Sequence, residues 1–112
     1  MRVRWNDESK KRLRMTASYI KKVFGEKARE DFLQEVKHTN ALLGNNPIMG
    51  PLEPFLRDLP SEYRSVVVRH YNKIVYHIVD EHIEVVAFWD TRREPTQQAQ
   101  EARDKQGPPP NP

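Results

Sequence analysis

The 112-residue sequence contains no cysteine, which excludes disulfide bonds, thiolate zinc sites and cysteine nucleophiles. No apolar run approaches the roughly 18 residues that a membrane-spanning helix needs. The polar, basic amino terminus has no apolar segment of the kind found in signal peptides. The length is that of one ordinary domain, which is large enough to bury a hydrophobic core without stabilising disulfides or metal ions. We therefore expect a cytoplasmic chain with no membrane association.

Common catalytic motifs are also missing. The sequence has no GxxxxGK[ST], GxGxxG, HExxH or GxSxG pattern, which disfavours nucleotide-driven enzymes, zinc proteases and standard serine hydrolases. The four histidines do not have metal-ligand spacing. His77 and His82 flank a predicted hairpin turn, where polar residues on a sheet face are the favoured interpretation. The sequence predicts no metal site and no cofactor.

Charge is unevenly distributed along the chain. Residues 1–38 hold 11 basic and 6 acidic residues, a net charge of +5, whereas residues 39–95 have a net charge of −2. Excess positive charge attracts nucleic acid through the phosphate backbone. On charge alone, a solvated helical face is the favoured interpretation.

The amino-terminal half predicts a short strand followed by a helical hairpin. RVRW at residues 2–5 alternates polar and apolar side chains, and Asn6 offers an N-cap oxygen. Gly25 is a natural stop between the two helices. One apolar stripe marks each helix: Leu13, Ala17, Ile20 and Phe24 in the first, and Ala28, Phe32, Val36 and Leu43 in the second.

Residues 44–60 contain four prolines and two glycines, which predicts a loop. We expect its apolar side chains to anchor it to the core: Ile48, Met49, Leu52, Phe55 and Leu56. Three β-rich runs follow, at residues 65–71, 73–79 and 82–89. The gaps between them are so short that the strands must form antiparallel hairpins.

The element order predicts an α+β fold, with a short strand and an α-helical hairpin packed on a four-stranded, mostly antiparallel sheet. We place this domain at residues 1–95. Residues 96–112 form a polar, Pro-rich tail without a large apolar residue. Such a segment buries too little surface to offset its ordering cost, so we expect a disordered or loosely helical tail.

Basic residues gather in the β region and suggest a phosphate site. The start of the second run and the end of the third lie side by side in an antiparallel meander, which brings Lys73 towards Arg92 and Arg93. Arg69 and His70 are further candidates, with His70 as a potential general acid or base. Fixed cations suit a phosphodiester and the charge that develops during its cleavage. The alternative is that Asp90 and Glu94 simply pair with the arginines.

The sequence resembles the RelE/ParE toxins of bacterial type II toxin–antitoxin systems. The resemblance covers residues 1–95. It rests on the element order, on Ala17–Tyr19–Ile20 followed by Phe24–Gly25, on NPIMGPLE in the loop, and on the stretch YRSVVVRHYNKIVYHIVDEHIEVVAFWDTRREP.

The resemblance implies one of two mechanisms. RelE-like members are ribosome-dependent mRNA endoribonucleases (mRNA interferases), and the resemblance places their catalytic cations at Arg64, Lys73 and Arg93. Val66 stands where that pattern has a second lysine, and no aromatic residue follows Trp89. These departures favour the ParE-like branch, whose members inhibit DNA gyrase without that catalytic set.

Three functions therefore remain open. The first is a ParE-like toxin that binds DNA gyrase, the second an mRNA interferase acting at the ribosome. The third is a degenerate toxin or a nucleic-acid-binding module that uses its basic helix at residues 10–22. Either toxin implies a cognate antitoxin, bound in a groove or by strand addition, and we expect the free toxin to be poorly soluble.

Overall fold

The computed structural model of the protein describes residues 1–69, 71–93 and 95–105. Its elements run in the order β1 (Arg2–Trp5), α1 (Asp7–Phe24), α2 (Glu26–Asn45), a short 3₁₀ helix (Pro54–Leu56), β2 (Arg64–Val68), β3 (Asn72–Val79), β4 (His82–Asp90) and α3 (Pro95–Lys105). His70 and the Pro-rich end of the tail, both singled out from the sequence, lie outside the described residues.

The four strands form one sheet in the order β1-β4-β3-β2. β2, β3 and β4 pair antiparallel, and β1 pairs parallel with β4. Because β1 and β4 are parallel, the chain must cross over between them. The helical hairpin of α1 and α2 forms the first part of that crossover. The predicted α+β architecture, with its mostly antiparallel sheet, is confirmed.

Local signals fix the helical hairpin where the sequence predicts it. The side chain of Asn6 accepts a hydrogen bond from the Ser9 backbone N–H at 2.8 Å and so caps α1. Gly25 separates the helices with φ +98°, a left-handed conformation that an L side chain rarely adopts. α1 and α2 then pack side by side on one face of the sheet.

Both faces of the sheet are covered. The hairpin face is packed against Phe32, Val36 and Leu43 of α2, and it includes Ile74 and Tyr76 of β3. The opposite face holds a second, smaller core: Leu56, Tyr63, Val75, Val86, Ala87, Trp89, Ala99 and Ala102.

The loop from Gly44 to Pro60 is anchored differently from the sequence expectation. Leu56 is buried, but Ile48, Met49, Leu52 and Phe55 are all more than a third exposed. Buried polar contacts hold the loop instead. The Tyr76 hydroxyl donates to Pro47 O at 2.9 Å and accepts from Gly50 N at 3.1 Å.

Gly50 makes a close approach that a side chain would block. A Cβ built on Gly50 would lie 2.6 Å from Ser65 O and 2.9 Å from the Tyr76 hydroxyl. The loop therefore passes close enough for Arg64 Nη1 to donate to Gly50 O at 2.9 Å.

The expectation of a disordered or loosely helical tail after Pro95 differs from the structure, which has the packed helix α3. Gln98, Ala99 and Ala102 are buried against the second face of the sheet. The Gln98 side chain bonds both the N–H and the C=O of Asp90, at 2.9 and 2.8 Å. Small side chains and polar contacts thus fix a helix that has no large apolar residue.

No helix among the described residues is both long and apolar enough to span a membrane. Within the same residues, no cluster of three or more histidine, aspartate or glutamate side chains is placed to hold a metal ion.

Candidate functional site

A mainly apolar cavity lies between the helical hairpin and the end of the sheet. It has a volume of about 710 Å³. We name it the arginine-rimmed groove, since its walls carry the four arginines Arg12, Arg69, Arg92 and Arg93. Its apolar lining is Met15, Tyr19, Ile20, Phe24, Ala28, Phe32, Tyr71 and Phe88. Asn72, Asp90, Thr16 and Gln98 complete it.

Several of the apolar groups in this groove are open to solvent. Phe24 is 70% exposed, and Met15, Tyr19 and Tyr71 are each more than half exposed. Three of these side chains lie on an exposed side of α1, and the fourth, Tyr71, lies in the β2–β3 turn. Exposed apolar side chains that line one groove beside charged side chains are typical of an interaction surface.

Arg92 is oriented by two partners. Its guanidinium contacts both carboxylate oxygens of Asp90, at 3.1 and 3.2 Å. It also lies 4.7 Å from the centroid of the Tyr71 ring, within cation–π range. The hydrogen bond from Arg92 is the main reason that the pKa of Asp90 is lowered. Asp90 therefore stays ionised and holds the arginine at the rim.

Arg12 and Arg93 share one carboxylate from α3. Glu101 lies 3.6 Å from Arg12 Nη2 and 3.4 Å from Arg93 Nη2. The same two arginines also line a smaller cavity of about 240 Å³ between α1, β4 and α3. Glu101 thus joins α3 to the rim and offsets part of its positive charge.

Arg69 is different from the other three arginines. It is exposed and has no ion-pair or hydrogen-bond partner within the described part of the chain. Its backbone has φ +51°, in the left-handed region that non-glycine residues rarely occupy. The guanidinium of Arg69, in the β2–β3 turn, is therefore available to bind a ligand in the groove.

Lys73 does not join this group, although it follows the turn. β3 pairs Lys73 with Val67 and Trp89, which places it on the α3 face of the sheet. Its ammonium lies 2.7 Å from Glu53 Oε2 and 5.2 Å from the Trp89 ring centroid. The Glu53 side chain is 0% exposed and also accepts a hydrogen bond from the Ser65 hydroxyl at 2.7 Å.

Arg64 lies on the opposite face from Lys73. It pairs with Tyr76, a residue of the hairpin-side core. Its guanidinium donates to Gly50 O and lies 3.8 Å from Glu62. The predicted convergence is therefore partial: Arg69, Arg92 and Arg93 meet at the groove, whereas Lys73 and Arg64 do not reach it.

Sequence reasoning missed two groups of residues at this site, and it missed Glu53, which holds Lys73 on the other face of the sheet. Arg12 and the Met15–Tyr19 flank of α1 lie off the apolar stripe used to define the helix. Glu53 stands in a Pro-rich loop with no local signal of burial. Glu101 belongs to the segment expected to be disordered. Only Arg12 carried a usable signal, because it lies one turn from Met15 and Thr16.

The histidine pair His77 and His82 forms no metal site among the described residues. His77 stacks on Tyr63, with ring centroids 4.6 Å apart and planes inclined by 14°. Burial lowers the pKa of His77, with opposing and reinforcing contributions from Glu84 and His82. His82 Nε2 lies 3.3 Å from Glu84.

A family model described as the ParE toxin of the type II toxin–antitoxin system parDE matches residues 3–95. The chain belongs to this family. It is therefore a ParE-like toxin of a type II toxin–antitoxin system, and its partner is an antitoxin. The matched region ends at Pro95, the first residue of α3.

The fold of this ParE-family toxin is found among solved structures. One similar chain comes from the structure titled "Chromosomal ParDE TA system from P. aeruginosa", with a TM-score of 0.66. The alignment covers 80% of this chain and 95% of that one, at 12% sequence identity. At that identity the likeness shows the fold alone. No curated protein matches the sequence significantly.

Proposed function

We propose that this toxin inhibits growth by binding DNA gyrase, that it performs no RNA cleavage, and that its antitoxin neutralises it by occupying the arginine-rimmed groove. The first point rests on the resemblance to ParE-like toxins, and the observation that carries the second is the separation of Arg64, Lys73 and Arg93. A ribonuclease needs its cations around one phosphate, since their value lies in stabilising charge at a single transition state.

The local contacts of these residues add to that argument. Lys73 is engaged by the buried carboxylate of Glu53. Arg64 is tied to a backbone carbonyl on the other face of the sheet. A phosphate bound at Arg93 would therefore contact neither Lys73 nor Arg64 unless these side chains left their present partners. Binding to a protein target requires no such assembly.

The groove has the chemistry of a peptide-binding surface. Its floor is apolar, its rim carries four arginines, and one arginine has no partner among the described residues. An amphipathic segment with apolar side chains on one face and carboxylates beside them would satisfy both features. This supports the groove as the site where the antitoxin lies.

Primer extension on mRNA from a cell-free bacterial translation reaction tests the absence of RNA cleavage. With the full-length chain added, we expect intact message. New cuts at codons in the ribosomal A site would overturn the proposal and favour the mRNA interferase.

Two variants make that result specific. Cleavage by this chain would be lost in Arg93→Ala but kept in Arg57→Ala, an exposed arginine that does not line the groove. Cuts that persist in both variants would show that Arg93 takes no part in the cleavage.

A further inference from the structure

Helix α1 has three distinct sides. One is the buried apolar stripe, and a second is the Met15–Tyr19 flank that lines the groove. The third carries five exposed basic residues: Lys10, Lys11, Arg14, Lys21 and Lys22. At about 100° per residue, these five fall within an arc of about 120° on the helix circumference. We name this side the basic face of α1.

The charges on the basic face are largely uncompensated. Lys21 lies 3.4 Å from Glu26. The other four have no ion-pair partner within the described part of the chain, and Asp7 is the sole acidic residue on the same arc. Elsewhere on α1, Arg12 is paired with Glu8 and Glu101. Positive charge is therefore left free on one side of the helix.

The composition of the basic face does not suit a protein partner. Besides the five cations and Asp7, the arc holds only Ser18, so it offers no apolar or aromatic anchor. Protein interfaces place such anchors at their centre and are depleted in lysine. Lysines and a hydroxyl are instead the groups that contact phosphate oxygens of nucleic acids.

We propose that the basic face of α1 binds the phosphate backbone of duplex DNA without sequence preference. Lys10 and Lys22 are twelve residues apart, so the face extends about 18 Å along the helix. That length passes several phosphates of a duplex, whose charges recur about every 3.4 Å along each strand. The face lacks aromatic side chains for stacking bases, which disfavours single strands.

Duplex geometry selects DNA over RNA. The major groove of B-DNA is about 12 Å wide and admits an α-helix. The major groove of A-form RNA is deep and too narrow for side chains to read. An exposed helix side therefore meets phosphates of both DNA strands more readily than those of an RNA duplex.

This second surface is separate from the groove and from the gyrase proposal. Its ligand is DNA alone, so its test needs no gyrase and no antitoxin. Loss of DNA binding and loss of gyrase inhibition are independent readouts.

Fluorescence anisotropy of a labelled DNA duplex, titrated with the full-length chain at several salt concentrations, tests the proposal. A plot of log Kobs against log salt concentration has a slope of about −0.9 for each phosphate that the protein contacts. The four unpaired cations therefore predict a slope of about −3 to −4. The quadruple variant Lys10→Gln, Lys11→Gln, Arg14→Gln and Lys22→Gln should lose at least tenfold in affinity at low salt, with a slope near zero.

A matched control changes the same charge elsewhere. Arg2→Gln, Lys27→Gln, Lys37→Gln and Arg57→Gln also remove four exposed cations. This control should keep both affinity and slope. Equal losses in the two variants would show a net-charge effect and overturn the proposal. So would the absence of duplex binding, or equal binding of an RNA duplex of the same length.

Smaller variants guard against misfolding. Glutamine has nearly the helix propensity of lysine and arginine, so α1 should persist, as circular dichroism would show. Were the quadruple variant unfolded, Lys10→Gln with Arg14→Gln, and Lys11→Gln with Lys22→Gln, should each remove about half of the slope. An unchanged slope in both double variants would contradict the assignment.

Discussion

Lys73 Nζ lies 2.7 Å from Oε2 of Glu53, whose side chain is fully buried. The pair joins β3 to the loop before the 3₁₀ helix, where Glu53 also accepts from the Ser65 hydroxyl and from Phe55 N. A lysine that resembles a catalytic cation in the sequence thus neutralises a buried carboxylate in the fold. Its first role is structural.

Removing this lysine should destabilise the protein. Lys73→Met leaves the Glu53 carboxylate buried without its cation, and we expect a loss of about 3 kcal/mol in the free energy of unfolding. Chemical denaturation measures it. Adding Glu53→Gln to Lys73→Met should recover much of that loss, because no unpaired charge remains. Equal stability of Lys73→Met and the wild type would contradict the ion pair.

The same pair shows what the sequence leaves hidden. Strand and helix positions follow from local signals such as the Asn6 cap and the Gly25 stop, and these predictions are confirmed. Glu53 and Lys73 are 20 residues apart, and nothing in the local pattern around either residue indicates that Glu53 is buried. Tertiary packing decides such contacts, and one sequence does not display them.

The close packing of α3 and the exposure of four of the five expected loop anchors depart from the sequence expectation for one shared reason. Burial was predicted from the size of apolar side chains. Ile48 and Phe55 are large yet exposed, whereas Ala99 and Gln98 are small or polar yet buried. Shape and hydrogen bonding against a preformed sheet face outweigh intrinsic hydrophobicity at such positions.

The arginine cluster was predictable only in part. Arg92 and Arg93 follow a strand end, and hairpin topology brings Arg69 beside them. The topology also brings Lys73 to the same end, but the alternation of side chains across the sheet sends it to the other face. Residue spacing predicts which side chains lie at the same end of the sheet, whereas the strand register decides which face of the sheet each side chain occupies.

His77 should make stability depend on pH. Burial lowers the pKa of His77 from its ordinary value of 6.5, so the unfolded chain takes up a proton first. Stability is then full above that value and falls as the pH drops below 6.5, by less than about 1.4 kcal/mol per pH unit. His77→Phe keeps the ring stacked on Tyr63 and should reduce this dependence.

Thermal melts at several pH values between the ordinary histidine pKa and mild acid measure the difference. The control is His38→Gln, which removes an exposed histidine on α2. An identical pH dependence in wild type and His77→Phe would show that His77 does not contribute.

Arg69 and Asp80 offer a matched pair for testing the groove. Both are non-glycine residues with positive φ, 51° and 54°, in the turns on either side of β3. Glycine tolerates that conformation, so Arg69→Gly and Asp80→Gly should each change stability by less than about 1 kcal/mol. Only Arg69 lines the groove.

We therefore expect Arg69→Gly to weaken antitoxin binding by about 10- to 150-fold and Asp80→Gly to leave it unchanged. Isothermal titration calorimetry with the cognate antitoxin measures both. The reason is the loss of one charge-assisted contact, worth about 1.5 to 3 kcal/mol. Unaltered affinity in Arg69→Gly would place the antitoxin elsewhere on the toxin.

Gyrase binding is tested by a supercoiling assay with purified DNA gyrase and relaxed plasmid, titrated with the full-length chain. We expect supercoiling to fall as the toxin concentration rises, and prior addition of antitoxin to restore it. Undiminished supercoiling at toxin concentrations well above that of gyrase would show that this toxin does not act on gyrase.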